Sequence, residues 1–202
     1  MNEPIQNSKD VAKNNSNKGG FTHAIFDVVE MFVISLCIVV LIFTFGIRLC
    51  NVDGPSMNNT LHDGEKILIY DFGYTPKAGD IVVFHKTDSP NPNLNKPIVK
   101  RVIATENQTV NIKIVSGDWT VTVDGKVIDE PYANFFEASL SEKHENKEIN
   151  VKVPSGHVFV MGDNRYNSAD SRDPAIGCVD ERAILGKVFF RITPFNVFGV
   201  IN

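Results

Sequence analysis

Between Met31 and Ile47 the chain reads MFVISLCIVVLIFTFGI, without a single charged residue. Counting the flank from Val28 brings the run to the roughly 20 residues that a helix needs to cross the hydrocarbon core of a bilayer. It is apolar on every face, whereas a helix packed into a soluble domain keeps a polar stripe. No small-x-small site follows it, since the next residues are Arg48-Leu49-Cys50, so the pattern is that of a retained anchor rather than of a removable leader. The run therefore divides the 202 residues into a tail at 1–23, a transmembrane anchor at 24–48 and a domain at 49–202.

Upstream, residues 1–20 are rich in Asn, Ser, Lys and Gly and hold too little apolar surface to offset the entropy of ordering, which predicts a flexible tail. Lys9, Lys13 and Lys18 precede the run and only Arg48 follows it closely. By the positive-inside rule that bias places the N-terminus in the cytoplasm and the large domain outside the cell membrane.

Downstream, the segments KILIY (66–70), DIVVFH (80–85), IVKRVI (98–103), TVNIKIV (109–115), WTVTV (119–123), INVKV (149–153), VFVM (158–161) and GKVFFRI (186–192) are short, β-branched and separated by turn residues. Each reads as a strand. Asp124-Gly125 between two of them is a two-residue hairpin signal. The prediction is a mainly β domain, a folded sheet or a barrel-like arrangement, behind one N-terminal transmembrane helix.

A formal net charge of -4, with 20 Lys and Arg in no dense block, gives no electrostatic footprint for nucleic acid. The three cysteines, Cys37, Cys50 and Cys178, supply neither a disulfide framework nor metal-ligand spacing. The domain must then be held by an ordinary core, for which its length suffices.

Three stretches carry chemistry. In GPSMNNTL (54–61), Ser56 follows a glycine that allows close approach and a proline that stiffens the turn. By itself Gly-Pro-Ser is more often a plain turn; a nucleophilic serine also needs a base and oxyanion donors. His62, His85, His144 and His157 sit in no catalytic context, although triad members need not be neighbours in sequence.

In IVKRVI, period-2 alternation sends Lys100 and Arg101 to opposite faces, so at least one cation must enter apolar surroundings. Only lysine can then lose its proton. At an ordinary pKa near 10.4 about one lysine in 2,500 is neutral at pH 7; lowering it by about 2 to 3 units costs roughly 3 to 4 kcal/mol, which burial can impose. A lysine snorkelling from a strand end is the structural alternative. The third stretch, GDNRYNSADSRD (162–173), has the composition of a solvated loop, yet holds Ser168, Asp163, Asp170 and Arg172 as possible partners for a buried amine.

The succession of anchor, GPSMNNTL, GDIVVFHK, IVKRVIATENQTV and GDNRYNSADSRDPAIGCVDERAILGKVFFRI resembles the bacterial type I signal peptidases, membrane-bound Ser-Lys proteases, from about residue 24 to 193. The GDNRxxSxDSR run carries most of the specificity. The resemblance implies that Ser56 is the nucleophile and Lys100 the general base. It further implies that Ser168 hydrogen-bonds the lysine amine, that Asp170 and Arg172 form a structural ion pair supported by Asp163 and Arg165, and that Gly54 and Met57 lie at the substrate site. The implied reaction uses no metal or organic cofactor. Its substrates are preproteins emerging from the secretion machinery, cut after small residues in an Ala-x-Ala pattern, and its surroundings are membrane lipid.

The sequence departs from that family's pattern at three places. Gly54 stands where some members carry an oxyanion-binding serine, Asn59 where proline is frequent, and Ala104-Thr105-Glu106-Asn107-Gln108 where Gly-x-x-Gly-Asp is usual. Lysine at position 100, where the endoplasmic-reticulum branch has histidine, and a single span match the compact Gram-positive-like form. Two rivals remain at this level: a self-cleaving Ser-Lys repressor, which would be cytoplasmic and DNA-linked, and a non-catalytic signal-peptidase-like assembly factor for surface structures such as pili. The nine residues from Ile47 to Ser56 reach at most about 30 Å, which keeps the serine near the membrane surface. Phe135 and Phe136 are candidates for resting on lipid, though such a pair is more often core.

Overall fold

A computed structural model describes residues 8–41, 46–86, 96–115, 118–135 and 147–201. Phe136 and His144 lie outside the described residues. The chain forms two compact units, residues 1–45 and 46–202.

The described residues of the first unit form one helix, α1 (Ser8–Leu41), which is already helical within the stretch whose composition predicts a tail. Its segment His23–Leu41 has 19 residues of mean hydropathy 2.6, and none of it is buried against protein. At 1.5 Å per residue the segment is about 28 Å long, the thickness of a bilayer core.

The second unit is mainly β. Its strands are β1 (Ile47–Asn51), β2 (Lys66–Tyr70), β3 (Ile81–His85), β4 (Pro97–Ala104), β5 (Thr109–Val115), β6 (Asp118–Val123), β7 (Lys126–Val127), β8 (Lys147–Lys152), β9 (His157–Met161), β10 (Val179–Asp180), β11 (Ile184–Thr193) and β12 (Gly199–Val200). One sheet runs β1-β2-β11-β3-β4-β9-β10, with β12 added beside β11; the other runs β7-β6-β5-β8. Among the described residues both are antiparallel and open, a pair of sheets rather than a closed barrel.

The eight expected strands are all present, with edges shifted by a residue or two. β1 was not legible because IRLCN continues the apolar composition of the preceding run, and what makes it a strand is its pairing with β2, from Ile47↔Tyr70 to Asn51↔Lys66. It starts inside the range expected for the anchor. Asp124 and Gly125 have φ of 51° and 77°, the left-handed pair that a two-residue hairpin between β6 and β7 requires.

The two sheets differ in how they are covered. In β5, buried and exposed positions alternate, the signature of a sheet with one wet face. In β3 and β4 nearly every residue is buried, so the centre of the larger sheet is covered on both faces. Ile81, Val83 and Val99 pack on one side with Met57, Leu61, Ile67 and Val188. Val82, Phe84, Ile98 and Val102 pack on the other with Val158, Val160 and Ile176. A third cluster, including Ile103, Phe159 and Met161 with Val110, Ile112 and Val121, joins the two sheets. β4 thus lies in the driest part of the domain, and it carries two cations there.

Candidate active site

The serine stretch forms a tight turn held from below. Gly54 has φ of 89°, a conformation that glycine adopts without strain, and its N–H donates to Asp63 Oδ1 at 2.8 Å. The N–H groups of Thr60 and Leu61 donate to the Met57 carbonyl. Met57 and Leu61 are buried in the core and anchor the turn, while Ser56 stays half-buried at its start.

Strand β4 brings Lys100 to that serine. The register sets Lys100 beside Val82 and Arg101 beside Ile81, so the two side chains leave opposite faces of the sheet. The Lys100 amine lies 2.7 Å from Ser56 Oγ and donates to the Val99 carbonyl at 2.8 Å. Only 3% of Lys100 is exposed. Burial lowers its pKa from 10.5 to about 8; the Asp170 charge opposes that shift, Arg172 adds to it and Asp163 opposes it.

The segment after β9 frames the pair. Arg172 donates to Asp170 through Nε and Nη2, both at 2.7 Å, and the Gly162 N–H adds a third bond at 2.9 Å. Burial by itself would raise the Asp170 carboxyl, but the bonds and charge of Arg172, with Gly162 and Ser168, hold it below the ordinary range. Asn164 clasps the serine turn from its backbone: its N–H donates to the Ser56 carbonyl at 3.0 Å and its Nδ2 to the Pro55 carbonyl at 3.2 Å. Between the turn and β4 is a cleft of ≈ 210 Å³ lined by residues 52–57 and 96–100 with Asn167 and Ala169.

A buried amine against a serine hydroxyl, beside a small cleft, is an arrangement suited to acyl transfer, and comparison with known proteins bears on it directly. Residues 25–193 match the family described as Signal peptidase, peptidase S26. The chain belongs to the peptidase S26 family of signal peptidases. It is 35% identical to Signal peptidase I of Bacillus licheniformis over 187 residues, covering 86% of this chain and 91% of that one. It is 38% identical to Signal peptidase IB of Staphylococcus aureus over 165 residues, 73% and 78% of the two chains. A solved signal peptidase I from Enterococcus faecalis V583 is 27% identical, with a TM-score of 0.42 over 56% of this chain and 97% of that one. Membership makes the chain a hydrolase of the secretory route, a serine peptidase that removes signal peptides at a membrane.

The signal peptidase motif meets the geometry with some exchanges of partner. Ser168 Oγ donates to Asp170 Oδ2 at 2.7 Å, whereas the hydrogen bonds of the Lys100 amine go to Ser56 and Val99. A paired, buried carboxylate is a stronger acceptor than an amine, which accounts for where the hydroxyl turns. Asp163 and Arg165 do not pair with each other. Asp163 takes Nε and Nη2 of Arg101 at 2.9 and 2.8 Å, and the Thr60 hydroxyl at 2.5 Å. Arg165 is bound by both oxygens of Glu130 at 2.8 and 2.5 Å. Met57 both lines the cleft and fills the core beneath it.

Several residues escape a reading of the sequence. A Cβ on Gly162 would stand 2.2 Å from Ser168 Oγ and 2.5 Å from the Ser56 carbonyl, so this glycine is what allows the two serines to approach. Asn164 and Arg101 were in view without a partner, and Glu130 lies in a loop with no motif of its own. Asn59 accepts from Asn134 Nδ2 at 3.3 Å, and the Asn134 backbone bonds to Asp163 and Arg165. That residue therefore ties the serine turn to the 162–165 segment, a contact that a proline could not make.

Proposed function

We propose that the protein is a membrane-anchored endopeptidase in which Ser56 is the nucleophile and Lys100 the general base, releasing exported preproteins by cutting after small, Ala-x-Ala-like residues. The observation that carries this reading is the 2.7 Å contact between the Lys100 amine and Ser56 Oγ in surroundings that lower the amine to about 8. At that value about one amine in ten is neutral at pH 7, against about one in 2,500 for an ordinary lysine. Neutral Lys100 takes the Ser56 proton as Oγ attacks the scissile carbonyl, then returns it to the departing amine. The same amine next deprotonates a water that hydrolyses the acyl-enzyme.

Two features of the cleft support the substrate class. Its ≈ 210 Å³ suits small side chains. Strand β4 pairs with β3 from Pro97 to Arg101 but with β9 only from Arg101 onward, which leaves its 97–100 edge without a strand partner among the described residues, where an extended peptide could add as a further strand. The Ser56 N–H has no acceptor among the described residues and is available to the oxyanion; with glycine at position 54 it carries the larger share. The excess of lysines upstream of the anchor supports a cytoplasmic tail with this domain outside.

Cleavage of a preprotein by wild type, Ser56→Ala and Lys100→Ala tests the proposal. Both variants should lose on the order of 10³-fold or more in rate, each by about the same factor because the two residues act as a unit. Equal activity in all three would overturn it.

A further inference from the structure

One residue of the segment after β9 holds both peptide units that flank Ser56. The backbone N–H of Asn164 donates to the Ser56 carbonyl at 3.0 Å, and its side-chain Nδ2 donates to the Pro55 carbonyl at 3.2 Å. The Pro55 carbonyl also accepts the Asn58 N–H at 3.1 Å, which closes the turn, so the Asn164 amide is a second bond on the same oxygen. A peptide unit is planar and trans, with its carbonyl and its N–H pointing in opposite directions. Fixing the Pro55 carbonyl therefore aims the Ser56 N–H, which has no acceptor among the described residues.

Asn164 is itself firmly held. It bridges Asn134, whose N–H donates to the Asp163 carbonyl at 2.7 Å and whose carbonyl accepts the Arg165 N–H at 2.9 Å. Its neighbours on either side are buried and ion-paired, Asp163 with Arg101 and Arg165 with Glu130. Stability does not account for its side chain: Asn164 is 7% exposed, and its Oδ1 is buried without a partner among the described residues. A buried acceptor left unpaired is costly, so an apolar side chain of that size would hold the fold at least as well. Only the amide supplies the donor to Pro55.

We infer that Asn164 is a positioning residue for the peptidase reaction, its side-chain amide orienting the Ser56 N–H toward the oxyanion. This rests on Ser56 being the nucleophile. Glycine at position 54 offers no hydroxyl to share that task, so the direction of this one N–H weighs more. Removing an oxyanion donor outright costs about 10²- to 10³-fold in kcat. Loss of the amide leaves the Asn58 bond in place, and a smaller effect of roughly 10- to 30-fold is expected.

Asn164→Leu, close to asparagine in size, and Asn164→Ala test this in the full-length protein. The readouts are cleavage of an Ala-x-Ala preprotein and inhibition by an Ala-x-Ala peptide aldehyde, compared with the same peptide ending in the alcohol. Ser56 Oγ adds to the aldehyde carbon, its proton passes to Lys100 and the carbonyl oxygen becomes the oxyanion; the alcohol binds without that step. In both variants kcat should fall by the stated factor with KM within about twofold, and aldehyde affinity should fall in parallel. Alcohol affinity and the pH midpoint of kcat should stay at their wild-type values. Unchanged kcat, equal losses of affinity for aldehyde and alcohol, or failure of both variants to fold would overturn the inference, the last by making the amide a structural bond. Ser56→Ala, run in parallel, should bind aldehyde and alcohol alike; a surviving preference for the aldehyde would instead defeat the assignment of Ser56, and this inference with it.

Discussion

Neighbours on β4, Lys100 and Arg101 are each 3% exposed, and the domain treats them in opposite ways. Arg101 meets a buried carboxylate that takes two of its N–H groups, a carbonyl from Gly79 and the face of Tyr132, 3.9 Å from its carbon. Lys100 meets a hydroxyl and a carbonyl, both neutral. The nearest acid on its side, Asp170, is already occupied by Arg172. Burial is the same on both faces; what differs is compensation. A guanidinium cannot shed its proton and so must be paired, whereas an amine left unpaired becomes a base. The residue proposed as the base is the one whose desolvation the fold leaves uncompensated.

The contrast predicts substitutions with opposite signs. Arg101→Met strands Asp163 as a buried charge without its partner, and should destabilise the domain by about 3–5 kcal/mol in thermal or denaturant unfolding. Lys100→Met should do the reverse. Its folded pKa of about 8 lies below the unfolded value of 10.5, so charged lysine costs stability below about pH 8, and the cost disappears as pH rises through 8 toward 10.5. Replacing it should stabilise the inactive protein by about 3 kcal/mol at pH 7, an advantage that fades by pH 10.5. A loss of stability of that size in Lys100→Met would mean that the amine is compensated after all.

Gly162→Ala probes the frame rather than either cation. Its Cβ would collide with the Ser56 carbonyl and the Ser168 hydroxyl, for an expected destabilisation of about 1–3 kcal/mol together with a loss of cleavage rate. Unchanged unfolding and unchanged rate would show that the two serines need not approach so closely.

Much of this was legible in the sequence, because much of it rests on local pattern. The apolar run around Met31–Ile47 and the β-branched segments announce the anchor and the sheet. The adjacency of Lys100 and Arg101 in an apolar strand announces that a cation is buried. What pattern could not convey is pairing at long range. Asp163 belongs to Arg101, 62 residues away, and Arg165 to Glu130, 35 residues away, since an ion pair leaves no periodic trace. β1 was missed for the same reason, as its partner strand defines it. The bond from Ser168 to Asp170 depends on which acceptor is charged, and that is fixed only once Arg172 is seen in place.

The central claim is that Lys100 is an amine made available by burial, and titrating that amine tests it most directly. In the full-length protein labelled at the lysine side-chain carbons, the Lys100 resonance followed by NMR against pH should show a midpoint near 8. A midpoint at or above about 10, the range of an exposed lysine, would contradict the account.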